Sequence, residues 1–195
     1  MEKKKSQIWS IPNLLSCVRL ALIPVFVGIY LRAESAADYR MAAAVILLSG
    51  LTDALDGFIA RRFDMVTELG KALDPVADKL TQAAILICLM FRYPAMAALV
   101  AILVVRDLFM GINGLILLRR GKKLDGAKWF GKVSTAVFYV STFVLILVPE
   151  LPAAVVSALM VLVGFFLSLS FVLYFPLFVK MYRDSASEKQ RSEKQ

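Results

Sequence analysis

A chain of 195 residues that is 59% hydrophobic, with a mean hydropathy of +0.73, is too apolar for a soluble globular domain. It predicts an all-α integral membrane protein with room for about six transmembrane helices of roughly 20 residues and no separate soluble domain. The net charge of +8 does not indicate nucleic acid, because the cations sit in short clusters between apolar segments, as topology signals do.

The opening Met1-Glu-Lys-Lys-Lys-Ser resembles the charged start of a signal peptide. Ile11 to Leu31 is long for such a segment and lacks a small-residue cleavage site, so Asn13 to Leu31 reads as a retained first span. Glu34 to Tyr39 is a polar link, and a second span runs from about Met41 to Arg61. After a link from Arg62 to Leu69, a third span covers about Ala72 to Phe91, and Arg92-Tyr-Pro94 turns the chain. Spans four and five cover about Ala95 to Leu118 and Phe130 to Val148. Pro149-Glu-Leu-Pro152 makes a tight turn, and a sixth span continues to about Lys180. Residues 1–182 thus read as a single six-helix transmembrane domain, and residues 183–195 as a polar tail without order.

Orientation follows from the basic residues. Lys3, Lys4, Lys5, Arg61, Arg62, Arg119, Arg120, Lys122, Lys123 and Lys128 fall on one side, against Arg32, Arg40 and Arg92 on the other. The positive-inside rule then puts both termini, and the link after Arg62, in the cytoplasm of a cell bounded by the plasma membrane. Cys17 and Cys88 each lie in an apolar span and read as small buried hydrophobes. Histidine is absent, so proton transfer near neutral pH falls to a carboxylate, Lys, Tyr or Cys.

The stretch from Asp53 to Asp78 stands out. Asp53, Asp56, Gly57, Ala60 and Arg61 share one helical face, and Gly70, Asp74, Asp78 and Thr81 share another. A short connection would fold these segments into an antiparallel pair on which four carboxylates converge. Pro75 places Asp74 at a helix start or a bend. Carboxylates about 6 Å apart repel by about 3 kcal/mol per pair at an effective dielectric near 20. Protonation relieves that, and so do divalent cations, which take hard oxygen ligands and are commonly shared with phosphates. Gly57 and Ala60 remove bulk beside the acids, and Arg61 supplies a planar cation suited to phosphate.

The pattern Asp-x2-Asp-Gly-x2-Ala-Arg-x8-Gly-x3-Asp-x3-Asp resembles the signature of the CDP-alcohol phosphotransferases. Asp53, Asp56, Gly57, Ala60, Arg61, Gly70, Asp74 and Asp78 fill every fixed place in it. Ile11-Pro-Asn-Leu-Leu-Ser16 and Leu73-Asp-Pro-Val-Ala-Asp-Lys79 are most similar to the phosphatidylglycerophosphate synthase branch. The resemblance implies transfer of a phosphatidyl group from CDP-diacylglycerol to an alcohol, with CMP leaving, at a polar cavity on the cytoplasmic side. It implies Mg²⁺ or Mn²⁺, two ions per site, held by Asp53, Asp56, Asp74 and Asp78, with Asp78 also taking the acceptor's proton. It assigns Asn13, Ser16, Gly57, Ala60, Arg61 and Thr67 to the CDP-lipid, and it implies a homodimer among membrane lipids. For Asn13 and Ser16, helix capping after Pro12 is an equal alternative, and for Gly57 and Ala60, tight helix packing is.

The acceptor would be a small phosphorylated alcohol, with glycerol 3-phosphate leading. Arg106 and Asp107 are charges inside the fourth span, and Arg106 with Lys132, Arg119 and Lys128 would form its anion pocket. Glycerophosphate-using relatives typically carry a second basic residue two places after the lysine of the Gly131-Lys132 segment, and a glutamine further on. Here those places hold Ser134 and Phe138, a departure that bears on the acceptor and not on the aspartates. Phosphatidylglycerol (giving cardiolipin), inositol phosphate and serine are the other acceptors. From a different class, a cation transporter would explain intramembrane acids, but not Gly57, Ala60 and Arg61 at fixed spacing.

Overall fold

A chain this apolar satisfies its backbone polar groups within its own segments, and in lipid that means helices. The computed structural model describes residues 11–63, 67–119 and 128–192. The described residues form six helices: α1 (Ile11–Leu31), α2 (Ala36–Arg62), α3 (Glu68–Arg92), α4 (Met96–Arg119), α5 (Trp129–Leu147) and α6 (Ala153–Ser192). Five of them hold segments long and apolar enough to cross a membrane: Asn13–Leu31, Ala36–Ala60, Met96–Arg119, Trp129–Leu147 and Ala153–Arg183. Helix α3 is not among these five, because Glu68, Lys71, Asp74, Asp78 and Lys79 load its first half with charge.

Two helices begin earlier than hydropathy alone suggests, and side-chain caps explain both. Helix α2 starts at Ala36 because Ser35 and Asp38 form a capping box. The Asp38 backbone amide donates to Ser35 Oγ at 3.3 Å, and the Ser35 amide donates to Asp38 Oδ2 at 2.9 Å. Helix α3 starts at Glu68 because Thr67 caps it, with Oγ1 accepting from the Gly70 amide at 2.9 Å. Asp74 therefore lies within α3, not at its start. Pro75 is also inside the helix and leaves the Lys71 carbonyl without its usual amide partner. At the other end of the chain the helical backbone of α6 continues through residues 183–192, where the sequence predicts a tail without order. Ala, Glu, Lys, Gln and Arg in that stretch are good helix formers.

The chain divides into two compact units, Met1–Met96 with Thr142–Leu151, and Ala97–Ser141 with Pro152–Gln195. In the first, α1 packs against both α2 and α3. Ser16 and Arg19 of α1 meet Asp56 and Asp53 of α2 in reverse order, which makes that pair antiparallel. Asn13 and Ser16 meet Thr67 and Asp74 in the same order, so α1 and α3 run parallel. Ala42, Ala43, Ala77, Ile85, Leu86 and Leu89 lie in this unit's core. At the end away from the aspartates, the Tyr30 and Tyr39 rings meet edge-on at 5.3 Å, and the Arg92 guanidinium lies 4.8 Å over Tyr39. Arg92 also donates to the Pro149 carbonyl at 2.6 Å.

The second unit is organised around Leu117, Tyr174 and Phe178, with Phe109 and Phe130 packed on them. The Tyr182 hydroxyl donates to Asn113 Oδ1 at 3.0 Å, joining α6 to α4. Large apolar side chains remain exposed along α2 (Leu51, Leu55, Phe58) and α6 (Val161, Phe165, Val172). A water-facing surface of this kind would drive aggregation, whereas in a bilayer it faces acyl chains.

The caps generate two predictions. Ser35→Ala removes half the capping box and should lower stability by about 1 kcal/mol, read as a lower melting temperature in detergent. At Gly70 an added Cβ would stand 2.9 Å from Asn13 Oδ1 and 3.1 Å from Thr67 Oγ1. Gly70→Ala should therefore break the Thr67–Asn13 hydrogen bond of 2.7 Å and melt at least as low as Thr67→Val. A wild-type melting curve for Gly70→Ala would show that the glycine serves something else.

Candidate active site

Three residues spaced by three on α1, Asn13, Ser16 and Arg19, present one stripe to α2 and α3. All three side chains are buried. Asn13 Oδ1 accepts from the Thr67 hydroxyl and so ties α1 to the start of α3. Ser16 Oγ lies 2.9 Å from Asp74 Oδ1 and 3.4 Å from Asp56 Oδ2, linking a carboxylate of α3 to one of α2. One turn on, Arg19 Nη2 lies 2.5 Å from Asp53 Oδ1 and 2.5 Å from Asp56 Oδ2. The aspartates of α2 and α3 are thus joined through α1, and not by direct closure of a two-helix hairpin.

Arg19 is the residue that the sequence reading missed. It is 2% exposed, and its Nε and Nη1 have no hydrogen-bond partner among the described residues. A signal was available, since a charge inside an apolar span marks a polar cavity or a functional site. That rule was applied to Arg106, whereas Arg19 lies outside the aspartate signature and finds its partner Asp56 37 residues along the chain.

The four aspartates differ in setting. Asp56 is 3% exposed, and the side chain of Asp53 is 54% exposed. Asp74 and Asp78 are half-buried on α3, one turn apart. Both lie close enough for their charges to act on Asp53. Among the described residues no three carboxylates stand together as a ready-made metal cage. Asp53 and Asp56 meet at the Arg19 cation, Asp56 and Asp74 meet at Ser16, and the charges of Asp74 and Asp78 reach Asp53. The point where Asp53 and Asp56 meet fits a divalent ion. It already accommodates positive charge against two carboxylate oxygens, the hard donors that Mg²⁺ and Mn²⁺ take.

Of the residues assigned to a CDP-lipid, Gly57 and Ala60 are half-buried on α2, next to Asp56 and one turn on from it. The backbone of Arg61 is part of α2, and its side chain lies outside the described residues. Thr67 is committed to its cap and to Asn13. The four proposed anion-pocket residues lie in the second unit. Arg106 is buried at 5% exposure, with Nε 4.0 Å from Asp107 Oδ1 and no hydrogen-bond partner for that nitrogen among the described residues. Arg119 ends α4 and is exposed, Lys128 is half-buried, and Lys132 is exposed, its amide donating to the Lys128 carbonyl at 3.1 Å. Lys3, Lys4, Lys5, Arg120, Lys122 and Lys123, used to orient the chain, lie outside the described residues.

Known proteins are similar to this chain over half or more of its length. A cardiolipin synthase (CMP-forming) of Streptomyces coelicolor is 35% identical over 131 residues, covering 66% of this chain and 61% of that protein. A cardiolipin synthase (CMP-forming) of Rattus norvegicus is 43% identical over 103 residues, 52% of this chain and 33% of that protein. A CDP-diacylglycerol--glycerol-3-phosphate 3-phosphatidyltransferase of Bacillus subtilis is 33% identical over 162 residues, 77% of this chain and 82% of that protein. The chain spans less than two thirds of the length of the two cardiolipin synthases. The family model described as CDP-alcohol phosphatidyltransferase matches residues 9–175, and a match over most of the chain, including every aspartate of the site, makes this protein a member of that family.

Proposed function

We propose that this protein transfers a phosphatidyl group from CDP-diacylglycerol to the hydroxyl of a glycerol-type acceptor, releasing CMP. The observation that carries the reading is the set Asp53, Asp56 and Asp74, tied together by Arg19 and Ser16 beside the signature residues Gly57 and Ala60. The acceptor oxygen forms a bond to the lipid-side phosphorus, the P–O bond to CMP breaks, and the hydroxyl proton passes to the Asp78 carboxylate. Asp53, Asp56, Asp74 and Asp78 would hold Mg²⁺ or Mn²⁺, which would supply charge stabilisation during the transfer. Asn13, Ser16, Gly57, Ala60 and Arg61 border the diphosphate, and Thr67 supports them through its bond to Asn13. Most of the rate enhancement then comes from positioning and electrostatics.

Membrane topology fits this chemistry. Helix α3 is the sixth crossing in this reading, since it runs parallel to α1 and its 25 residues reach about 37 Å at 1.5 Å per residue. The positive-inside rule places the aspartates at the cytoplasmic face of the plasma membrane, where the lipid keeps its acyl chains in the bilayer and its nucleotide in water. Residues 1–182 form the catalytic domain, and the protein works as a homodimer, as its family implies.

Glycerol 3-phosphate is the first acceptor, with Arg106, Lys132, Arg119 and Lys128 receiving its phosphate. A second reading, phosphatidylglycerol as acceptor, is favoured by one observation. Ser134 and Phe138, at the places where glycerophosphate-using relatives carry a basic residue and a glutamine, are each 1% exposed and offer no charge.

Two measurements test this. Purified protein with CDP-diacylglycerol and Mn²⁺ should release CMP with glycerol 3-phosphate or phosphatidylglycerol, and EDTA should abolish that release. No release with these, inositol phosphate or serine, together with cation flux in liposomes, would replace the transferase with a transporter. Asp78→Asn should lower kcat by about 10²-fold or more, the usual worth of a positioned general base, while leaving CDP-lipid binding nearly intact. Near-normal turnover would remove Asp78 from the proton transfer.

A further inference from the structure

The bond between Arg19 and its two aspartates has an unusual economy. A guanidinium carries five N–H donors in a planar fork and pairs most strongly when two of its nitrogens face one anion. Arg19 meets both Asp53 and Asp56 through the single nitrogen Nη2. Its Nε and Nη1 are buried and have no partner among the described residues. Donors left so are costly, and a salt bridge kept only for stability would use them.

Charge gives the second line of argument. Asp53, Asp56, Asp74 and Asp78 together carry −4 when ionised, and Arg19 offsets one of these charges. Its Nη2 occupies the point that Asp53 Oδ1 and Asp56 Oδ2 share. A divalent cation at that point and the guanidinium exclude one another, by size and by like charge. Ser16 contacts Asp74 and Asp56 independently of Arg19, so the acids keep their places when the guanidinium leaves.

We propose that Arg19 is a built-in stand-in cation. It holds the Asp53–Asp56 pair in the metal-free protein, gives up that position when a divalent ion is bound, and then turns its free N–H fork toward the diphosphate of the CDP-lipid. This rests on the phosphatidyl-transfer reading for the identity of the anion. The exchange itself concerns only the metal and the chain. Coupling follows: metal alone competes with Arg19, whereas metal and diphosphate together leave every charge with a partner. Apparent affinity for metal is therefore weaker than the acids alone would give, by the fraction of molecules in which Arg19 has withdrawn.

The test is Mn²⁺ binding without nucleotide, followed by electron paramagnetic resonance of the free ion, in wild type and Arg19→Gln. Arg19→Gln should bind Mn²⁺ about tenfold more tightly or better, since the competing cation is gone. In EDTA it should melt below wild type. Unchanged or weaker Mn²⁺ binding by folded Arg19→Gln would overturn the exchange. If Arg19→Gln does not fold, the wild-type structure with Mn²⁺ bound decides: Nη2 beyond 4 Å from both carboxylates supports the exchange, and Nη2 still on both overturns it. CMP release by wild type separates the two readings. Release with unchanged Arg19→Gln affinity overturns only the exchange; tighter Mn²⁺ binding without wild-type release for any acceptor overturns only the transfer.

Discussion

Four carboxylates on two neighbouring helices of an apolar chain need positive charge among them, and the structure shows Arg19 supplying the first of it. One guanidinium nitrogen placed between Asp53 and Asp56 turns a repelling pair into an attracting triad. An isolated ionised carboxylate in such a setting would cost several kcal/mol, so the pair is stable only in company. The arrangement of α1, α2 and α3 follows from meeting that requirement.

Helix α1 is the organiser. Its stripe of Asn13, Ser16 and Arg19 reaches α3 with the first two residues and α2 with the last two. Because each polar contact fixes a register, the stripe sets how far α2 and α3 slide along α1, and with them the positions of Asp56 and Asp74. The cap at Thr67 contributes to the same end: its hydroxyl accepts from α3's own Gly70 amide and donates across to α1. Gly70 is small because the Asn13–Thr67 bond passes beside it. This glycine of the signature thus has a packing reason within the protein.

Much of this was legible beforehand, for physical reasons. Apolar runs fixed the helices α1, α4, α5 and most of α6, since a span of lipid thickness leaves few alternatives. Fixed spacing picked out Asp53, Asp56, Asp74 and Asp78, because helical periodicity places i, i+3 and i+4 together. Periodicity says nothing about which helix packs between two others, so the expected direct closure of the aspartate hairpin gave way to a bridge through α1. Arg19 escaped for the same reason, its meaning residing in partners far along the chain. Caps escaped as well. Ser35 and Asp38 sit in a stretch that reads as polar link, and Thr67 sits before charges that read as loop. The last turns of α6 were obscured by a composition that suits both a solvated tail and a helix.

The account's central claim is that these aspartates share a divalent ion with the diphosphate of a CDP-lipid. The most direct measurement is paramagnetic broadening of the phosphorus resonances of bound CDP-diacylglycerol by Mn²⁺, compared between wild type and Asp56→Asn. Strong broadening of both diphosphate signals in wild type, lost in Asp56→Asn, is the predicted result. Sharp signals in wild type with lipid and Mn²⁺ both bound, or broadening that survives Asp56→Asn unchanged, would contradict it.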